Sequence, residues 1–177
     1  MLAKSSAPQD ERGLIMTAIG RGGVRNPWTQ PTYGYYNTQF EQSLTEQDTA
    51  GQLTMMRMTL NPESAPPLHF HTREDEFWTV VSGRVRFWLG GSTLESCAVQ
   101  EADPGAFVFG PRNVPHTFQT ITETAEVLIG NTPGVLEGYF TGVGSADARH
   151  DDANTDVLED YGVFFIGPAP VWSDWNN

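Results

Sequence analysis

The chain has 177 residues, of which 38% are hydrophobic and 11% aromatic, enough for one globular domain with a proper core. Its formal net charge is −12, so its surface repels phosphate backbones and anionic membranes, and we expect neither nucleic-acid nor membrane partners. The single cysteine, Cys97, excludes an intrachain disulfide and a thiolate cluster for a metal.

The N-terminal region is polar and has no hydrophobic periodicity. We therefore predict a flexible tail over residues 1–12 and a single domain over residues 13–177. The tail has no apolar signal core, and no run approaches the roughly 18 apolar residues of a membrane span. These features predict a cytoplasmic protein.

Short apolar runs alternate with glycine- and proline-rich turns along most of the chain. Six runs have the length and the β-branched and aromatic content of strands. They are residues 52–60, 75–81, 84–90, 106–110, 116–122 and 125–131. Because this spacing is typical of an antiparallel sandwich or barrel, we predict an all-β jelly-roll barrel over about residues 14–132.

Helix signals are confined to the C-terminal part of the sequence. Pro133 is predicted to begin a short helix, and a second helix has Asn154 or Thr155 as its N-cap and Gly162 as its stop. The apolar residues 161–167 that follow predict one more strand or a packed extension.

Two histidines lie one residue apart in the stretch PPLHFHTREDEFWTVVSG. On a strand, His69 and His71 project from the same face and can share one metal ion at about 2.0–2.1 Å from each nitrogen. A carboxylate soon afterwards, Glu74 or Glu76, offers a further ligand. The alternative is a pair of structural histidines, either solvated or buried against a carbonyl.

A second segment, DPGAFVFGPRNVPHTF, repeats this design with a strand, a proline-rich turn and then His116. The two segments together resemble the two motifs of the cupin superfamily, G-x5-H-x-H-x3–4-E-x6-G and G-x5-P-x-G-x2-H-x3-N. In the first motif, His69 and His71 match H-x-H, and Glu76 and Gly83 follow at the family spacing.

The second motif and the motif ends depart from the family pattern in places. Gly105, Pro111 and His116 match, whereas Asn113 stands at a glycine position. Asparagine tolerates a left-handed backbone better than most residues, so we expect it to replace glycine there. The terminal asparagine is replaced by Thr120, and the first glycine of the first motif is absent.

The resemblance implies a metal site made by His69, His71, Glu76 and His116. Between the two carboxylates, Glu76 alone has the family spacing, and Glu74 is expected in the turn, facing solvent or pairing with Arg73. The ligand types suit one divalent transition metal ion: nickel, iron, manganese, cobalt, copper or zinc.

Strand parity gives candidates for a substrate pocket. Trp78 shares the face of Glu76, and Phe118 shares the face of His116. Met55 and Phe140 are further candidates, although the sequence leaves open which face of residues 52–60 lines the pocket. The alternative for each of these side chains is an ordinary place in the core.

Among single-domain cupins, the sequence is similar to bacterial quercetinase-type enzymes, the flavonol 2,4-dioxygenases. This resemblance implies that a metal-bound flavonol or related aromatic substrate loses a proton to Glu76 and is then cleaved by O2 with release of carbon monoxide. It also implies a lid formed by the C-terminal segment, whose apolar face is Tyr139, Phe140, Phe164 and Phe165.

Two other functions remain open from the sequence. One is a non-redox, metal-dependent cupin, such as a cyclase, dehydratase or isomerase in natural-product metabolism. The other is a small-ligand-binding cupin without catalysis. We also expect a homodimer, because the edge strands of a jelly roll need cover and cupins commonly gain it by pairing.

Overall fold

The computed structural model describes residues 22–35, 37–143 and 155–174. The predicted tail, residues 1–12, and the proposed cap Asn154 lie outside these residues. Within them the strands are β1 (Thr32–Tyr35), β2 (Thr38–Leu44), β3 (Thr54–Leu60), β4 (His69–His71), β5 (Asp75–Ser82), β6 (Val85–Leu89), β7 (Ala98–Ala102), β8 (Phe107–Gly110), β9 (His116–Thr120), β10 (Ala125–Thr132) and β11 (Val163–Phe165).

The strands form two antiparallel sheets that face each other. The six-stranded sheet has the order β1-β2-β3-β10-β5-β8, and the five-stranded sheet has the order β11-β4-β9-β6-β7. All six predicted strands are present and the all-β jelly-roll prediction is confirmed. Strands β1, β2 and β7 were not predicted: β1 has only four residues, β2 is rich in glutamine and glutamate, and Val99 is the only β-branched residue of β7.

The core lies between the two sheets, and burial alternates along β3 and through residues 75–80 of β5. On β3, Met56, Met58 and Leu60 are buried, whereas the residues between them face outward and are partly exposed. On β5 the same alternation buries Trp78 and Val80. Because side chains alternate across a strand, the interior is lined by every second residue.

The described residues also form three short α-helices, α1 (Glu46–Thr49), α2 (Glu137–Val143) and α3 (Thr155–Asp160), and two 3-10 helices, Leu94–Ser96 and Trp172–Asp174. The sequence analysis did not predict α1, although Thr45 and Asp48 form a capping box at its start. The first C-terminal helix begins at Glu137 rather than at Pro133. The second is followed by Gly162 at φ +86°, a conformation that favours glycine at a helix end.

At the edge of the six-stranded sheet, β8 exposes two large apolar side chains, Phe107 and Phe109. The expected homodimer stays a prediction, which light scattering can test. None of the helices in the described ranges has the length and hydrophobicity needed to span a lipid bilayer.

Candidate metal centre

Four predicted ligands meet between the two sheets. His69 and His71 come from β4, and His116, which is paired in register with His69, comes from the neighbouring β9. Glu76 comes from β5 of the facing sheet. All four side chains are buried, and one ligand atom from each lies within 4.8 Å of the others. We call these four residues the donor cluster.

Hydrogen bonds at Nδ1 orient the three imidazoles. His69 Nδ1 lies 2.7 Å from the carbonyl oxygen of Pro67, and His116 Nδ1 lies 3.1 Å from that of Val114. A carbonyl can only accept, so each of these Nδ1 atoms carries the proton and its Nε2 presents a lone pair. The Nδ1 atoms are therefore engaged outside the donor cluster, which leaves Nε2 for a ligand.

The Nε2 atoms of His71 and His116 lie close to one oxygen of Glu76. His116 Nε2 lies 3.0 Å and His71 Nε2 lies 3.4 Å from Glu76 Oε2. His71 Nε2 is buried and has no hydrogen-bond partner of normal geometry among the described residues. A buried nitrogen without a partner beside a carboxylate, in a cluster of nitrogen and oxygen donors, fits a transition metal ion. The donor cluster can therefore hold one.

Burial and charge set the protonation of the donor cluster. Burial raises the pKa of Glu76, but the neighbouring imidazoles of His71 and His116 outweigh it and lower the pKa to about 2. Burial and the neighbouring imidazoles hold the pKa of His69 well below its usual value. Burial also opposes a charge on His71, yet Glu76 and Glu74 overcome it and raise its pKa. The cluster therefore contains an ionised carboxylate and a neutral His69.

Glu74 corrects one expectation from the sequence. It does not face solvent or pair with Arg73: its side chain is 0% exposed and its Oε1 contacts His71 Nδ1. The turn after β4 folds back, so that the side chain of Glu74 contacts His71, the residue three positions before it. Glu76 is the carboxylate of the donor cluster, and Glu74 is the carboxylate behind it.

The turn before β9 is built around close packing. Asn113 has φ 63°, so it takes the left-handed conformation predicted for this glycine position, and its N–H donates to the His71 carbonyl at 2.6 Å. A side chain at Gly110 would meet the Trp78 ring at 3.0 Å and His116 Nδ1 at 3.2 Å. Glycine thus allows Trp78 to pack against the His116 ring, with the ring centroids 5.1 Å apart.

The donor cluster opens on one cavity, which we call the site cavity. Besides His69, His71 and Glu76, its lining is aromatic or aliphatic: Tyr35, Met56, Met58, Pro66, Phe118, Ile129, Leu136, Tyr139, Phe140, Leu158, Val163 and Phe165. Its volume is about 40 Å³, room for a few water molecules.

The site cavity includes some of the predicted pocket residues and not others. Phe118 and Phe140 line it, and Trp78 lies behind His116 in the core. Met55 does not line it: β3 alternation turns Met55 outward to a surface groove and turns Met56 and Met58 inward.

Of the four residues predicted to form an apolar lid, three line the site cavity and one does not. Tyr139, Phe140 and Phe165 line the site cavity, whereas Phe164 points to the other face and stacks on Phe70. Strand parity along β11, which could be read from the sequence, separates Phe164 from Phe165.

Two buried polar side chains near the donor cluster were missed by the sequence analysis. Asn131 is 0% exposed, is paired in register with Glu76 on β5, and neither its Oδ1 nor its Nδ2 has a partner in the described part of the chain. The Tyr139 hydroxyl is also buried, and Tyr35 lies close to it. Burial raises the pKa of Tyr139 to about 12, against a smaller lowering by the nearby Tyr35.

Comparison with known proteins supports this description. The family model of the cupin domain matches residues 56–129, from β3 to β10, which contain the whole donor cluster. The matched residues contribute strands to both sheets of the jelly roll. No curated protein gives a significant match to the sequence.

Solved structures show the same fold at low sequence identity. One is the polyketide cyclase RemF from Streptomyces resistomycificus, at 19% identity over 63% of this chain and 80% of that chain, with a TM-score of 0.52. Another is hydroxypropylphosphonic acid epoxidase from S. wedmorenis, at 20% identity over 62% of this chain and 59% of that chain, with a TM-score of 0.51. A third is a structure of Fe(II)-HppE with an alternative substrate, (S)-1-HPP. It has 20% identity over 62% of this chain and 60% of that chain, with a TM-score of 0.50.

Proposed function

We propose that the chain is a metal-dependent enzyme acting on a small, flat, largely apolar substrate, and that it is a dioxygenase cleaving a flavonol or related aromatic natural product. One observation carries the proposal: three imidazoles and one carboxylate converge at the end of a cavity whose other walls are apolar. Three histidines and one glutamate leave one or two positions open on an ion with five or six ligands, as catalysis requires.

The lining of the site cavity narrows the substrate class. No lysine or arginine is among its residues in the described part of the chain. A phosphonate or a phosphate buried there would have the metal ion as its only cationic partner, so part of its charge would be buried unpaired at a cost in free energy. An aromatic substrate that carries neutral hydroxyl or carbonyl oxygens avoids this cost, and its rings match the aromatic walls.

The size of the site cavity requires movement of one wall. About 40 Å³ is far too small for a flavonol, so binding requires displacement of Tyr139 and Phe140 on α2 or of Phe165 on β11. We propose that this C-terminal wall opens to admit the substrate and then closes to exclude water.

The roles of the chain's residues follow from their positions. The donor cluster would hold the metal, which supplies a Lewis acid that lowers the pKa of a substrate hydroxyl. Glu76 Oε2 then accepts that proton. Trp78 holds the His116 ring in place from behind.

A second candidate is a non-redox cyclase that uses the same centre as a Lewis acid. The observation in its favour is the shared fold with RemF, which is described as a polyketide cyclase. A binding protein without catalysis is a weaker candidate, because it would have no use for a complete donor cluster.

The test uses the full chain stripped of metal and reloaded separately with manganese, iron, cobalt, nickel, copper or zinc. Oxygen uptake and the flavonol absorbance are then followed with a panel of flavonols. We expect metal-dependent oxygen uptake that matches flavonol loss. A metal-dependent change of an aromatic polyketide without oxygen uptake would favour the cyclase, and metal binding without turnover would favour the binding protein.

A further inference from the structure

We infer that Glu74 is a positioning residue for His71, and that it raises the affinity of the donor cluster for a divalent metal ion. The inference rests on the proposed metal-dependent function. It starts from a contact outside the donor cluster: Glu74 Oε1 meets His71 Nδ1, and both side chains are buried, at 0% and 3% exposure.

His71 differs from the other two histidines in what its Nδ1 contacts. His69 and His116 are held by the backbone carbonyls of Pro67 and Val114, which are neutral. His71 is held by a carboxylate. A carboxylate fixes the Nδ1–H tautomer, orients the ring and makes Nε2 a stronger electron donor to a metal than a carbonyl does.

The second oxygen of Glu74 strengthens the case for a cation. Glu74 Oε2 is buried and has no hydrogen-bond partner among the described residues. Arg112, whose charge Glu74 influences, is exposed and is already bound to both carboxylate oxygens of Asp75. A fully buried carboxylate held only by an imidazole is costly unless positive charge lies close by.

The experiment compares metal affinity in three full-length proteins: the wild type, Glu74→Gln and Glu41→Gln. Glu41 is the matched control, because it is also a buried carboxylate, at 1% exposure, but it accepts hydrogen bonds from the backbone N–H groups of Trp28, Thr29 and Gln30 on the outer side of the sheet. Affinity for Zn²⁺ and for Co²⁺ is measured by competition with a chelator, and the Co²⁺ absorption spectrum reports the ligand geometry.

We expect Glu74→Gln to weaken binding of both ions about 10- to 100-fold and to shift the Co²⁺ spectrum, as for the loss of other partners of metal-bound histidines. Glu41→Gln should leave the affinity and the spectrum unchanged. Circular dichroism of the metal-free proteins identifies any variant that does not fold, and Glu74→Asp then replaces Glu74→Gln: its shorter carboxylate should weaken binding and shift the spectrum in the same directions.

The outcomes separate this inference from the proposed function. Wild-type affinity and an unchanged Co²⁺ spectrum in a folded Glu74 variant would overturn the role of Glu74 while leaving the metal centre intact. Equal weakening by Glu41→Gln would also overturn it, because the effect would then be one of general charge. A folded wild type that binds neither ion would overturn the metal-dependent function itself.

Discussion

The two ends of the barrel interior are made by the same strands and yet differ in chemistry. At one end, a row across β3, β10 and β5 is polar, and at the other end a row across the same strands is apolar. The first row is Thr54, Asn131 and Glu76, and the second is Met58, Val127 and Val80. We call these the site end and the closed end.

The difference lies in how buried groups are satisfied. The closed end is filled with apolar side chains that need no partner, and it stabilises the fold by burial. The site end keeps buried polar atoms without a partner among the described residues: His71 Nε2, Glu74 Oε2 and both amide atoms of Asn131. Buried polar atoms without a partner lower stability, so the site end contributes less to stability than the closed end.

The largest effect is expected from Glu76→Gln, which removes the carboxylate of the site end. An amide cannot accept the substrate proton and ligates a metal weakly, so we expect turnover per bound metal to fall about 10²- to 10⁴-fold. Activity and metal content are measured on the same samples. Reduced metal content with normal turnover per bound metal would make Glu76 a ligand and nothing more.

At the closed end, Leu60→Ala is expected to destabilise the fold. Leu60 is 1% exposed, and the cavity left by a buried leucine should lower the free energy of unfolding by about 2–5 kcal/mol. Because Leu60 lies at the opposite end of β3 from Thr54, the folded variant should bind metal with wild-type affinity. Urea denaturation and chelator competition check the two halves of this prediction, and a loss of metal affinity would show that the two ends are coupled.

Asn131→Leu replaces a polar residue of the site end with an apolar one, as found at the closed end. Removing an amide with two buried, unpartnered atoms should raise the free energy of unfolding of the metal-free protein by about 1–3 kcal/mol. Activity should fall, since the register places Asn131 beside Glu76, with Cβ atoms about 4.5–5.5 Å apart. Thr54→Val, on the other side of Asn131, is the control. An Asn131→Leu variant that is less stable than the wild type would show that the amide has a partner, such as a buried water.

The closed end and the donor cluster were readable from the sequence for the same physical reason. Alternation along a strand is local, so His69 with His71, and the strand that carries Trp78, could be assigned from spacing alone. The left-handed turn at Asn113 was also predicted, because the backbone preference of asparagine is local.

What the sequence could not supply depends on contacts between distant segments. The sequence does not distinguish Met55 from Met56 as the residue that faces the barrel interior. Which of them does so depends on the position of the sheet that faces β3. Glu74 looks like an exposed turn residue among acidic neighbours, and its burial depends on the path of the chain beneath His71. Asn131 is notable only because the register of β10 with β5 sets it beside Glu76.

The smallest effect is expected at the rim of the site end, where Asp75 follows the buried Glu74 but is partly exposed. Asp75 accepts hydrogen bonds from the backbone N–H and the guanidinium of Arg112, and these hold its pKa below the ordinary value of 3.8. A carboxylate with a lowered pKa adds stability that is complete above its ordinary pKa and is lost as the pH falls through the lower, folded-state value.

We therefore expect Asp75→Asn to lower the melting temperature slightly at pH 7, as exposed ion pairs contribute little, and to lower it less at pH 3. Thermal unfolding at both pH values is the measurement. A melting temperature difference that grows toward pH 3 would show that the ionised form of Asp75 does not stabilise the turn, and metal affinity should stay unchanged throughout, because this pair lies outside both the donor cluster and its contact with Glu74.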